Sequence, residues 1–109
     1  MAKTYKPVLV DTYIPPSDVA EARFVGGDGA LCGAAAKAIG VSELAATANE
    51  ASPVIMLGVA LIELGGTVAK GAEVESDASG KAVTLSAGKV NGQALEAGVN
   101  GDIIRVLVK

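Results

Sequence analysis

The sequence predicts an all-β domain, a small β-barrel or sandwich of short strands with an extended N-terminal arm and little helix. Three observations point there. From Glu21 onward, short apolar runs alternate with Gly-containing breaks, the pattern of many short strands joined by tight turns. Three of the four prolines, Pro7, Pro15 and Pro16, lie in the first 18 residues, where they hold the backbone extended and block helix. The apolar residues are small, with 20 Ala and 14 Val beside 14 Gly, against two Tyr, one Phe and no Trp. A chain of 109 residues fits one domain, divided here into an arm at 1–18 and a compact β-domain at 19–109. An Ala-rich core releases far less on burial than one of Leu or Phe, at about 1.5–3 kcal/mol for each of those. Oligomerisation is the usual supplement, so a homo-oligomer is expected.

The elements follow in order. In the arm, Val8-Leu9-Val10 suits a short edge strand, and Tyr5 and Tyr13 suit a segment that orders on a partner. Residues 21–25 alternate and end at Gly26-Gly27-Asp28-Gly29, a turn of residues that tolerate positive φ. Ala34-Ala35-Ala36-Lys37-Ala38 has helical propensity, and a helix reaching Ala48 competes with a strand around Gly40 favoured by β-branched Ile39 and Val41. Residues 44–52 read as a loop with room for one helical turn. The run 53–64 is the most hydrophobic and does not alternate, which predicts a strand covered on both faces. Gly58 in its middle marks a bulge or bend, and Gly65-Gly66 ends it. Residues 72–76 and 81–85 form a hairpin around Asp77-Ala78-Ser79-Gly80, and 93–96 and 103–108 form a second with Asn100-Gly101-Asp102 between them. Ile104, Val106 and Val108 should share one face of the last strand. Units opening with Gly at 40, 58 and 92 fit the repeated bends of a small barrel.

Composition excludes much chemistry. With no His there is no triad, imidazole shuttle or His-ligated zinc, and the single Cys32 forms neither an internal disulfide nor a thiolate cluster. Cys32 reads as a small buried hydrophobe. A net charge of −3 and a pI near 4.8 argue against nucleic acid as partner. The uncharged stretch 51–62 is too short to cross a bilayer and contains Pro53 and Gly58, so no membrane is expected. Met1-Ala2-Lys3-Thr4-Tyr5-Lys6 lacks the apolar region of a signal peptide, so synthesis in the cytoplasm is expected.

Each motif that suggests a reactive site lacks its working part. The turn at 26–29 is followed by Ala30-Leu31 rather than the Lys and Ser/Thr of a phosphate loop, and Cys32 stands where a dinucleotide fingerprint needs its third Gly. Glu73 and Glu75 alternate on a strand and read as a solvated face, so no catalytic residue is assigned. The segment Val68-Ala-Lys-Gly-Ala-Glu-Val-Glu-Ser-Asp-Ala78 resembles the hairpin of lipoyl and biotinyl carrier domains, but Ala78 stands where the modified lysine would be. No cofactor and no metal site are expected, and the chain does not read as an enzyme.

Several stretches, in order, resemble one known family. They are Gly29-Ala30 with Gly33-Ala34, Ala38-Ile-Gly-Val41, Gly58-Val-Ala-Leu61, Gly65-Gly-Thr-Val-Ala-Lys-Gly71, Val74-Glu-Ser-Asp-Ala-Ser-Gly-Lys-Ala-Val83 and Gly101-Asp-Ile-Ile-Arg-Val-Leu107. Together they span about three-quarters of the chain and are similar to the capsid cement, or head decoration, proteins of tailed bacteriophages. The resemblance implies a structural virion protein on the outer surface of an expanded capsid, stabilising contacts between neighbouring major capsid subunits. It implies a homo-oligomer with a trimer favoured, made in the host cytoplasm. The capsid-binding residues are then expected on the arm, at Lys3, Tyr5, Lys6, Val8, Val10 and Tyr13. Two other functions remain open at this point, a lipoyl/biotinyl-like carrier and a co-chaperonin-like oligomeric β adaptor with its mobile loop at 44–52.

Overall fold

The computed structural model describes residues 5–108, and among these it contains eight strands and no helix. The strands are β1 (Lys6–Tyr13), β2 (Phe24–Val25), β3 (Gly40–Ser42), β4 (Ser52–Glu63), β5 (Glu73–Ser76), β6 (Ala82–Thr84), β7 (Gly92–Ala94) and β8 (Ile103–Val108). Their ladders are antiparallel in the order β2-β3-β4-β8-β7-β5-β6, with β1 added on β4. A parallel bridge between Leu64 and Ala82 joins the end of β4 to β6, and the Phe24 N–H donates to the Gly80 carbonyl at 2.7 Å. The sheet therefore nearly closes on itself, and of the barrel or sandwich expected from the sequence the barrel-like form is the one found. Both expected hairpins form, with Gly80 (φ 78°) and Gly101 (φ 91°) in the left-handed conformation their turns require.

The competition over 34–48 is resolved for the strand. Only Gly40–Ser42 is regular, and residues 33–37 form an exposed loop across the barrel end. A side chain on Gly40 would collide with the Ile55 carbonyl and meet Val54 Cγ1 at 2.9 Å, so this Gly lets β3 lie close against β4. Intrinsic helix propensity is worth only tenths of a kcal/mol per residue, and the loop's tertiary hydrogen bonds outweigh it. The Ala35 N–H donates to the Ser76 carbonyl at 2.8 Å, with Ala35 itself at φ 59°. The helical turn allowed for at 44–52 is likewise absent.

Two apolar clusters form. The barrel interior holds Phe24, Val41, Ile55, Ile62, Leu64, Val74, Ile104 and Val106 among others, and Cys32 joins them at 2% exposure, as expected of a small hydrophobe. A smaller cluster of Val19, Val25 and Val54 packs with Tyr13, Leu31, Ile39 and Met56. Successive residues Phe24 and Val25, and Val54 and Ile55, divide between the two. The start of β4 is thus covered on both faces, as its non-alternating run predicts. That coverage does not extend to Leu57, which is 47% exposed. Ile104, Val106 and Val108 share the buried face of β8 as expected.

Polar side chains hold the loops against the barrel. Asn91, 1% exposed, donates from Nδ2 to the Ala36 carbonyl and accepts the Ala38 N–H at Oδ1, both at 2.9 Å. Glu75 is buried rather than part of a solvated face, because its carboxylate accepts the Ser86 N–H at 2.6 Å and the Gly88 N–H at 3.2 Å. Asp77, in the segment that resembles a carrier hairpin, accepts the Ser79 and Lys81 N–H groups at 2.8 and 2.9 Å and so shapes the β5–β6 turn.

Charges tie the barrel seam. Glu63 at the end of β4 pairs with Arg23 ahead of β2 at 3.3 Å and with Lys81 ahead of β6 at 3.2 Å. Burial opposes the Glu63 charge, but Lys81 and Arg23 outweigh it and hold the carboxyl below its ordinary range. A depressed folded-state pKa gives stability that is present above the unfolded value, about 4.3, and is lost as pH falls through the folded one. Glu63→Gln is therefore expected to melt below wild type at neutral pH, with the gap closing as pH falls below about 4. Calorimetric midpoints across that range check this.

Candidate functional site

The surface with the most unusual exposure is β1. Residues 6–12 are exposed on both faces of the strand, and Tyr13 is half-buried against the smaller cluster. Ile55 pairs with both Val10 and Val41, while Gly58 pairs with both Pro7 and Val108. β1 thus runs along one edge of β4, and β3 and β8 share the other. The outer edge of β1 carries no partner strand among the described residues. Unpaired N–H and C=O groups on an eight-residue edge are a template for another chain's strand.

The edge is apolar as well as open. Val8 is 78% exposed, Leu9 47% and Val10 42%, with Ile14 at 65% just beyond and Leu57 facing solvent from β4. Beyond the β1–β4 ladder, the arm is fastened at its ends. The Tyr5 hydroxyl donates to the Glu43 carboxylate at 2.8 Å, Tyr13 packs into the smaller cluster, and the Pro15 carbonyl accepts the Asn49 N–H at 2.8 Å. Among the described residues no cluster of His, Cys, Asp and Glu is placed to hold a metal ion. Burial raises the Cys32 thiol pKa, which suppresses its nucleophilic form. What this surface offers is backbone hydrogen bonding and apolar contact, the means of holding another protein.

A family model described as phage cement protein matches residues 3–109. The chain belongs to the phage cement protein family. Its role is structural and capsid-associated, and its family is one of virion components. Among solved structures, the chain is similar to the N base of the head fiber gp8.5 of bacteriophage phi29. That match has 18% identity over 93% of each chain and a TM-score of 0.75, and at this identity it shows a shared fold. No curated protein matches the sequence. Family membership sets aside the carrier and co-chaperonin readings.

The cement protein's expected arm residues fall as follows. Lys3 lies outside the described residues. Tyr5 is 38% exposed at the foot of β1, and Lys6 and Val10 stand opposite Val59 and Ile55. Val8 sits in the register shift between Pro7 and Leu9, and Tyr13 stands opposite Ser52. β1 thus brings Lys6, Val8 and Val10 onto one open strand, whereas Tyr5 and Tyr13 turn partly toward the body. Leu9, Ile14 and Leu57 extend the apolar surface beyond the binding residues expected from the sequence. No periodic signal marks them, since a strand exposed on both faces imposes no alternation.

Gly58 sets the cement protein's arm in place. Its φ of 110° excludes ordinary side chains, and a Cβ there would collide with the Lys6 carbonyl and meet Val8 N at 2.7 Å. Gly58→Ala is expected to destabilise the protein by about 1–3 kcal/mol. Faster amide exchange confined to β1 and the middle of β4, measured by mass spectrometry, would locate the effect at the arm.

Proposed function

We propose that this cement protein binds the outer surface of an expanded phage capsid through β1 and stabilises contacts between neighbouring major capsid subunits. The observation that carries this reading is β1, apolar from Pro7 to Val10, exposed on both faces over residues 6–12 and, among the described residues, open along its outer edge. A strand of the capsid subunit adding to that edge would gain main-chain hydrogen bonds, while Val8 and Val10 meet its side chains. Lys6 places a cation beside them, and Tyr5 and Tyr13 frame the two ends. A homo-oligomer, with a trimer favoured at three-fold positions of a shell, multiplies weak single contacts through effective concentration.

Density-gradient separation of native particles, with quantitative mass spectrometry of the particle band, tests the role. This chain is expected in the band at a copy number comparable to the major capsid subunit. Its recovery only in the soluble fraction would overturn the reading.

A further inference from the structure

Beside the foot of β1 the surface sinks into a hollow of about 200 Å³. Leu61 on β4, Ile103 on β8 and Leu44 beyond β3 are among its apolar walls, while Tyr5, Glu21 and Glu43 line it with polar groups. Leu44 is 57% exposed and Ile103 44%, so large apolar side chains here face solvent. Ser42, also in the lining, is already engaged, since its hydroxyl donates to the Ala20 carbonyl at 2.6 Å and accepts the Arg23 N–H at 3.1 Å.

Two carboxylates stand at its rim. Glu43 accepts the Tyr5 hydroxyl, and neither Glu43 nor Glu21 has a cationic partner among the described residues. Arg23, next to Glu21 in the chain, is committed to Glu63 and to the Ser79 carbonyl. An apolar cavity of about 150 Å³ accepts a benzene-sized guest, so this hollow has room for one large side chain. Apolar walls select that side chain, and two carboxylates favour a neighbouring cation while repelling an anionic guest.

We propose that the hollow is a socket for one large apolar side chain, carried beside a Lys or Arg on a segment of the major capsid subunit. This rests on the capsid-binding reading above. Tyr5 both leads into β1 and lines the hollow, so a single partner surface covers the open edge and the socket together. The edge supplies sequence-independent pairing, and the socket supplies recognition of a particular segment.

The test uses expanded shells freed of this protein and co-sedimentation of the purified full-length chain. Leu44→Asp and Glu21→Lys alter exposed positions, and unchanged circular dichroism melts would establish that both fold. Each is expected to weaken shell binding about tenfold or more, while Lys89→Glu binds as wild type and wild-type binding falls as salt is raised. If wild type binds and both variants bind equally well, the socket is wrong and the capsid reading stands. If wild type does not bind the shells, the capsid reading fails and the socket's assignment with it. If light scattering shows that either variant loses a wild-type oligomer in solution, a second copy fills the hollow and the proposal is overturned.

Discussion

Replacing Asn91 with Leu is expected to lower the unfolding free energy by about 2–4 kcal/mol, since a buried polar group left without its partner costs about 1–3 kcal/mol. The Asn91 side chain bonds the Ala36 carbonyl and the Ala38 N–H, which anchors the loop before β3 to β7. Leu keeps the branched shape but removes both hydrogen-bonding groups, leaving the N–H of buried Ala38 without an acceptor. In a domain whose net stability is about 5–15 kcal/mol, that is a large fraction. Asn91→Asp retains the acceptor for Ala38 but places a charge in the interior, so it too should be destabilising. Urea unfolding of both variants gives the magnitudes. A loss below about 0.5 kcal/mol for Asn91→Leu would mean that solvent satisfies the loop when the side chain is gone.

Removing residues 1–13 is expected to weaken shell binding more than tenfold while leaving a cooperatively folded domain. The barrel cluster contains no residue from this segment, so its apolar burial survives truncation. The smaller cluster loses Tyr13, and β4 loses pairing along Ser52 to Val59, so the melting midpoint should fall. Because truncation bares an edge of β4 that could self-associate, a second variant separates the causes. Val8→Asp with Val10→Asp changes only exposed side chains and is expected to keep β1 paired with β4. Both proteins should lose affinity in co-sedimentation with shells. Binding of the truncated protein at wild-type strength would move the interface from the arm to the barrel.

How far the sequence was legible depended on whether the signal was local. The hairpins around Asp77 and Asn100-Gly101 were readable because turn chemistry acts over four or five residues. The bend at Gly58 was readable because a Gly inside an apolar run is punctuation by itself. The strand at Gly40–Ser42 competes with a helix in the sequence, since the Ala-rich stretch before it favours helix locally and is overruled by partners far along the chain. Glu75 looked solvated from its alternation with Val74, yet its carboxylate is committed to the loop at 86–88. The interior role of Asn91 had no local signature at all.

The same division holds for the candidate site. Prolines and tyrosines near the N-terminus marked an extended segment able to meet a partner, and composition excluded His-based and thiolate chemistry. Residue order alone thus determined an all-β chain of short strands with an arm and a likeness to cement proteins. The tertiary structure decided that the arm lies along β4 with its outer edge open among the described residues, that an Arg23–Glu63–Lys81 seam ties the nearly closed barrel, and that Leu44, Leu61 and Ile103 share one acid-rimmed hollow. The physical reason is range. Turn and strand preferences are written in neighbouring residues, whereas edges, seams and hollows exist only once segments far apart in the chain are brought together.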